Sequence, residues 1–98
     1  MSARPTLSEI KTHSRIDNDI EDQYITQLDN SAYDFIKSFI NRDIVFSSDD
    51  LTDNAILYND QMRICELMIV DSWYNNRSSD NIPKAAEFIL SQFRIVNV

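Results

Sequence analysis

The chain has no glycine among its 98 residues. Glycine takes left-handed backbone without a steric penalty, so positions that need φ > 0 must fall largely to asparagine, the next most tolerant residue. Asn41 ends one helical pattern and Asn75–Asn76 end another, and left-handed caps are expected there. The same absence excludes the glycine-rich loops that cradle phosphates in P-loop and dinucleotide-binding proteins. It also suits a chain that is mostly helix.

The strongest helical pattern follows an acidic run, RIDNDIEDQY, at residues 15–24. A calcium loop starting at Asp17 finds oxygen ligands at Asp19 and Glu21. It then meets Asp22 where glycine is required and Leu28 where a chelating Glu is required, so the calcium reading fails. The acids fit a helix beginning better, with Asn18 or Asp19 as cap and further carboxylates opposing the positive end of the helix dipole. Ile20, Tyr24, Ile25, Leu28, Ala32, Phe35, Ile36, Phe39 and Ile40 then recur at steps of three and four. This is one broad apolar stripe over about six turns.

A chain of this length is expected to form one domain, spanning 1–98, with a core but little margin of stability. Net charge is −7, from 16 acids against 9 bases, and the bases form no stripe. That opposes conventional nucleic-acid binding, which rests on Lys and Arg at phosphates. The lone cysteine, Cys65, excludes an internal disulfide framework and suits a reducing compartment as a buried, inert thiol. No basic leader precedes an apolar run and no stretch approaches a membrane span, so a soluble protein is expected.

The pattern predicts an all-α fold with helices near 6–13, 19–41, 60–76 and 83–93. Residues 1–5 are expected to form a flexible arm. Thr6 and Glu9 have the spacing of a capping box, with Leu7 and Ile10 facing inward. Residues 43–57 read as an irregular loop with a brief extended piece at Ile44–Phe46. The third helix is apolar on most sides, with a polar strip at Arg63, Glu66 and Asp71, so it is central or meets another subunit. Trp73 and Tyr74, near its end, are candidates for core or inter-subunit packing. Pro83 is expected at the first position of the last helix, whose inner face is Ala86, Ile89 and Phe93. Residues 94–98 are expected to form an extended tail, because Ile95, Val96 and Val98 favour strand over helix.

Catalysis finds no support. His13 is the single histidine, at a helix end, and no strand–turn–helix setting presents a nucleophile. Neither a catalytic residue, a cofactor nor a metal is expected.

The order of pieces is similar to a known pattern. LSEIKTHSRID leads into DNDIEDQYI and a long helix ending near FINRDI; VDSWYNNR closes a central helix, and IPKAAEFILSQFR supplies the last one. From Leu7 to Arg94 the chain resembles the head–tail connector (adaptor) family of long-tailed bacteriophages. That family usually has leucine where this chain has Ser14, and glycine before the arginine where it has Asn41–Arg42. The linker at 43–57 has no counterpart in the pattern.

The resemblance implies a structural virion protein at the head–tail interface, assembled in the bacterial host cytoplasm. It implies a homo-oligomeric ring of about twelve copies beneath the portal protein, extending the DNA channel. A tail-side neck or tail-completion protein would dock below, and packaged DNA would pass without specific binding or any membrane contact. Arg94, Ile95, Val96, Asn97 and Val98 are then candidates for portal binding by strand addition. Asp49, Asp50 and Asp53 are candidates for an acidic lumen that lets DNA slide. The alternatives are a small acidic inhibitor that mimics DNA and a generic helical adaptor of a bacterial complex.

Overall fold

The computed structural model describes residues 3–76 and 82–94. Among them the elements run α1 (Leu7–His13), α2 (Asp22–Ile40), β1 (Asp43–Val45), β2 (Ala55–Leu57), α3 (Asp60–Asn75) and α4 (Lys84–Ser91). The fold is mostly helical, as expected. The addition is a small parallel sheet.

Thr6 starts α1 through the capping box: its Oγ1 accepts from the Glu9 N–H, and Glu9 Oε1 accepts from the Thr6 N–H at 3.0 Å. The helix ends in a Schellman motif. The Ile16 N–H reaches the Lys11 carbonyl at 2.8 Å and the Arg15 N–H reaches Thr12, with Arg15 left-handed at φ 58°. An arginine therefore takes a position expected to go to asparagine. Asn41 does carry the left-handed cap of α2, at φ 56°, whereas Asn76 caps α3 at φ −127° and needs no such tolerance.

α2 begins at Asp22, three residues later than the acidic run suggests. Asn18 spends its side chain on the Ile20 N–H, and Asp19 and Asp22 together clamp Lys11 Nζ at 2.6 and 2.8 Å. The acids thus tie α1 to the start of α2 instead of capping it. Ile20 consequently leaves the stripe and stands 89% exposed.

One core joins the helices. Ile25, Ala32, Ile36 and Ile40 of α2 are buried with Met62, Cys65, Ile69 and Val70 of α3, Ala86 and Leu90 of α4, and Ile10 of α1. Each buried isoleucine contributes about 1.5–3 kcal/mol relative to exposure. α3 is the central helix, meeting the other three. Its polar strip is a misreading at one position: Glu66 is closed to solvent.

The expected loop at 43–57 is partly ordered as sheet. β1 and β2 pair in parallel with Ile44 opposite Ile56, and the Tyr58 N–H extends the ladder to the Val45 carbonyl at 2.8 Å. Ile44 and Ile56 pack on the core, and an Arg42 Nη2 bond to the Ala55 carbonyl supports the second strand. Parallel strands ordinarily need a crossover of a dozen or more residues. Here residues 46–54 suffice, with a 3-10 turn at Ser48–Asp50.

Pro83 is the cap of α4, not its first helical residue; its backbone is extended at ψ 134° and its carbonyl accepts from Glu87. α4 stops at Ser91 because the last turn tightens, with Gln92 and Phe93 bonding back three residues to Ile89 and Leu90. Leu90 joins Ala86 on the inner face, while Ile89 and Phe93 are half-buried beside it.

Candidate functional site

The residues expected to form a flexible arm include two that are docked. Pro5 is buried, and Arg4 reaches a polar cluster between α2 and α3. Its Nε donates to Glu66 Oε2 at 3.2 Å, and its Nη2 donates to Asp29 Oδ2 at 3.0 Å and to Asn30 Oδ1 at 3.2 Å. The central carbon of the guanidinium lies over the Tyr33 ring, 4.2 Å from its centre. Arg63 holds the same segment from outside, donating to the Ala3 carbonyl and pairing with Glu9.

The cluster exists because α2 and α3 each bring one carboxyl to their contact. Glu66 has no exposed surface and accepts from the Tyr58 hydroxyl at 2.8 Å. Burial, then the neighbouring Asp29 carboxyl, raises Glu66 from its ordinary 4.5 to about 8. A proton on Glu66 also gives the buried Asp29 Oδ1 a donor that it otherwise lacks. Arg4 brings its positive charge to both carboxyls. Burial and Glu66 raise the Tyr58 hydroxyl, so it remains a donor. Sequence reading missed Arg4, Asp29, Tyr58 and Glu66. The available signal was an acid set within the apolar run of α3.

Asp49 and Asp50 lie on the exposed 3-10 turn, where Ser47 Oγ accepts from the Asp49 N–H, and Asp53 is exposed further along the same connection. Trp73 is half-buried and meets Phe35 of α2 edge-on at 6.5 Å. The Tyr74 hydroxyl donates to Glu21 at 3.3 Å, at the start of that helix. Arg94 places its guanidinium 5.0 Å from the Phe39 ring. Ile95, Val96, Asn97 and Val98 lie outside the described residues.

Large apolar side chains stand in solvent on separate elements: Ile20 before α2, Ile64 on α3 and Phe88 on α4, the last 72% exposed. An open depression of about 400 Å³ runs along α1, lined by Leu7, Lys11, Ile16 and Asp19, with Lys11 held by its two aspartates. Cys65 is buried, its thiol pushed up to about 11 by burial. Among the described residues no His, Cys, Asp and Glu group has the form of a metal site, and no helix is long and apolar enough to cross a membrane.

The buried carboxyls and their partners hold helices together, while apolar surface is left outside. By its fold the molecule is a small helical protein with one core. The family model for phage gp6-like head-tail connector proteins matches residues 5–94, and the chain belongs to that family. It is a structural component of the phage virion at the head–tail junction. No curated protein and no solved structure matches it.

Proposed function

We propose that the subunit assembles with copies of itself into a ring of about twelve beneath the portal, extending the channel and offering its lower rim to a tail-side neck protein. The observation that carries this reading is the family match across residues 5–94. In such a ring a neighbouring subunit or the portal would cover the exposed Ile20, Ile64 and Phe88. Trp73 and Tyr74 keep part of their surface outside the core and are the aromatic candidates for that contact.

Asp49, Asp50 and Asp53 project from the connection between the strands and would line the lumen. Like charge there keeps DNA moving without adhesion. Residues 94–98 would pair with an exposed sheet edge of the portal. Electron microscopy of the protein mixed with its cognate portal tests the reading. A coaxial ring below the portal is expected; bare portals beside monomeric protein would overturn it.

A further inference from the structure

The Asp29–Glu66 cluster plays no part in the connector reading, yet it is the most elaborated polar arrangement among the described residues. Its contents match one chemical group. A guanidinium is planar, carries a fork of donors along its edges, and presents a weakly hydrated face that stacks on aromatic rings. Each of these features is met by a separate side chain. Glu66 Oε2 takes the Nε edge at 3.2 Å. Asp29 Oδ2, the Asp29 carbonyl and Asn30 Oδ1 surround Nη2 at 3.0, 3.4 and 3.2 Å. The guanidinium carbon sits over the Tyr33 ring at 4.2 Å, and the Tyr58 hydroxyl donates to the other oxygen of Glu66. An ammonium on a flexible stem could occupy one of these positions but could not satisfy the edge and the face together.

The walls of this arrangement belong to α2 and α3, while the occupant comes from the strap that precedes α1. Arg4 lies 25 residues from Asp29 and 62 from Glu66. The strap is fastened at Arg4 and again at Ala3, through Arg63.

We propose that Asp29, Asn30, Tyr33 and Glu66 form a guanidinium-binding socket, plugged by Arg4 of the chain's own amino-terminal strap and able to bind a free guanidinium ligand once that plug is removed. The socket turns the strap into a latch that closes the α2–α3 contact and neutralises a buried acid pair.

Arg4→Ala empties the socket. Its melting temperature should fall by roughly 5–15 °C. Methylguanidinium chloride at millimolar concentration should then recover much of the loss, with wild-type protein in the same solution as the baseline for any denaturing effect. Methylammonium chloride should recover little, and Arg4→Ala combined with Glu66→Gln should respond weakly to either. Unchanged melting of Arg4→Ala, absence of recovery, or equal recovery by both cations would each overturn the socket. Should Arg4→Ala fail to fold, the wild-type side chain decides. The Arg4 Nε–H, followed by nuclear magnetic resonance, should exchange with water much more slowly than that of the exposed Arg15, and Glu66→Gln should reduce the difference. Equal exchange at Arg4 and Arg15 would overturn the proposal.

Discussion

The hydroxyl of Tyr58 donates to Oε1 of Glu66 across 2.8 Å, at a point on α3 fully closed to solvent. Burial of Glu66 and the neighbouring Asp29 carboxyl, opposed by Tyr58 and Arg4, make the central helix sensitive to pH. The folded protein keeps a proton on Glu66 up to about pH 8, whereas the unfolded chain releases it near 4.5. Between these values the folded state binds more protons, so stability from this group is complete below 4.5, declines as pH rises, and is gone above about 8. Glu66→Gln keeps an acceptor for Tyr58 and has nothing to titrate, at the cost of the oxygen that accepts from Arg4 Nε. Thermal melts from about pH 4.5 to 9 should show the variant gaining on wild type as pH rises. Parallel profiles would mean that Glu66 is ionised throughout.

Calcium should do nothing that magnesium does not. The acidic run is engaged internally: Lys11 bonds Asp19 and Asp22 and holds the Asp19 carboxyl below the ordinary carboxylate range. A divalent ion would have to displace that clamp and still lacks a chelating group at Leu28. Matched melts at millimolar calcium and magnesium test this, and selective stabilisation by calcium would reinstate a site at Asp17, Asp19 and Glu21.

Trp73 presents a sharper comparison. Its ring meets Phe35, but Nε1 is buried with no acceptor among the described residues. Trp73→Ala should cost about 2–4 kcal/mol, since the ring is only half-buried. Trp73→Phe should cost about 1 kcal/mol or less, because it also removes an unsatisfied donor. Chemical denaturation measures both, and equal losses would show that Nε1 has a partner.

Helix type and order were readable because the apolar periodicity of α2 and the capping pair Thr6–Glu9 act over a few residues. The cluster was not readable. Arg4 and Glu66 are 62 positions apart, and nothing local distinguishes an arginine in an arm from one that plugs a core. β2 was missed for a related reason: its three residues gain strand character only from pairing with β1 across a short connection. Ile20 misled in the opposite sense. It keeps the helical spacing, but the turn built by Asn18 and Asp19 places it before the helix begins.

The absence of glycine leaves a removable cost at Arg15. Its side chain is exposed and its backbone is left-handed at φ 58°, which a β-carbon disfavours by about 1–2 kcal/mol. Arg15→Gly should therefore stabilise by about 0.5–1 kcal/mol after the added freedom of the unfolded chain is deducted. Asn41→Ala at the equivalent cap of α2 should destabilise by about 1 kcal/mol. Denaturant midpoints read both, and a loss on Arg15→Gly would show that the arginine side chain contributes more than its backbone costs.

The carboxyl-terminal tail offers the most direct test of attachment. Arg94 is the last described residue, and its guanidinium over Phe39 fixes where the chain leaves α4 and α2. The next four residues, Ile95, Val96, Asn97 and Val98, are β-branched at three of four positions and prefer extended backbone. In strand addition the main chain supplies affinity through hydrogen bonds to a sheet edge, and alternate side chains fill pockets. If the tail is an anchor, deleting residues 95–98 while keeping Arg94 should leave melting within about 2 °C of wild type. The truncated protein should no longer join portal-bearing heads, as read by co-sedimentation. If the tail instead belongs to the core, melting falls and portal binding weakens only in step with it. Normal attachment by a stably folded truncation would remove the tail from the docking surface and leave the exposed faces of α3 and α4 to carry it.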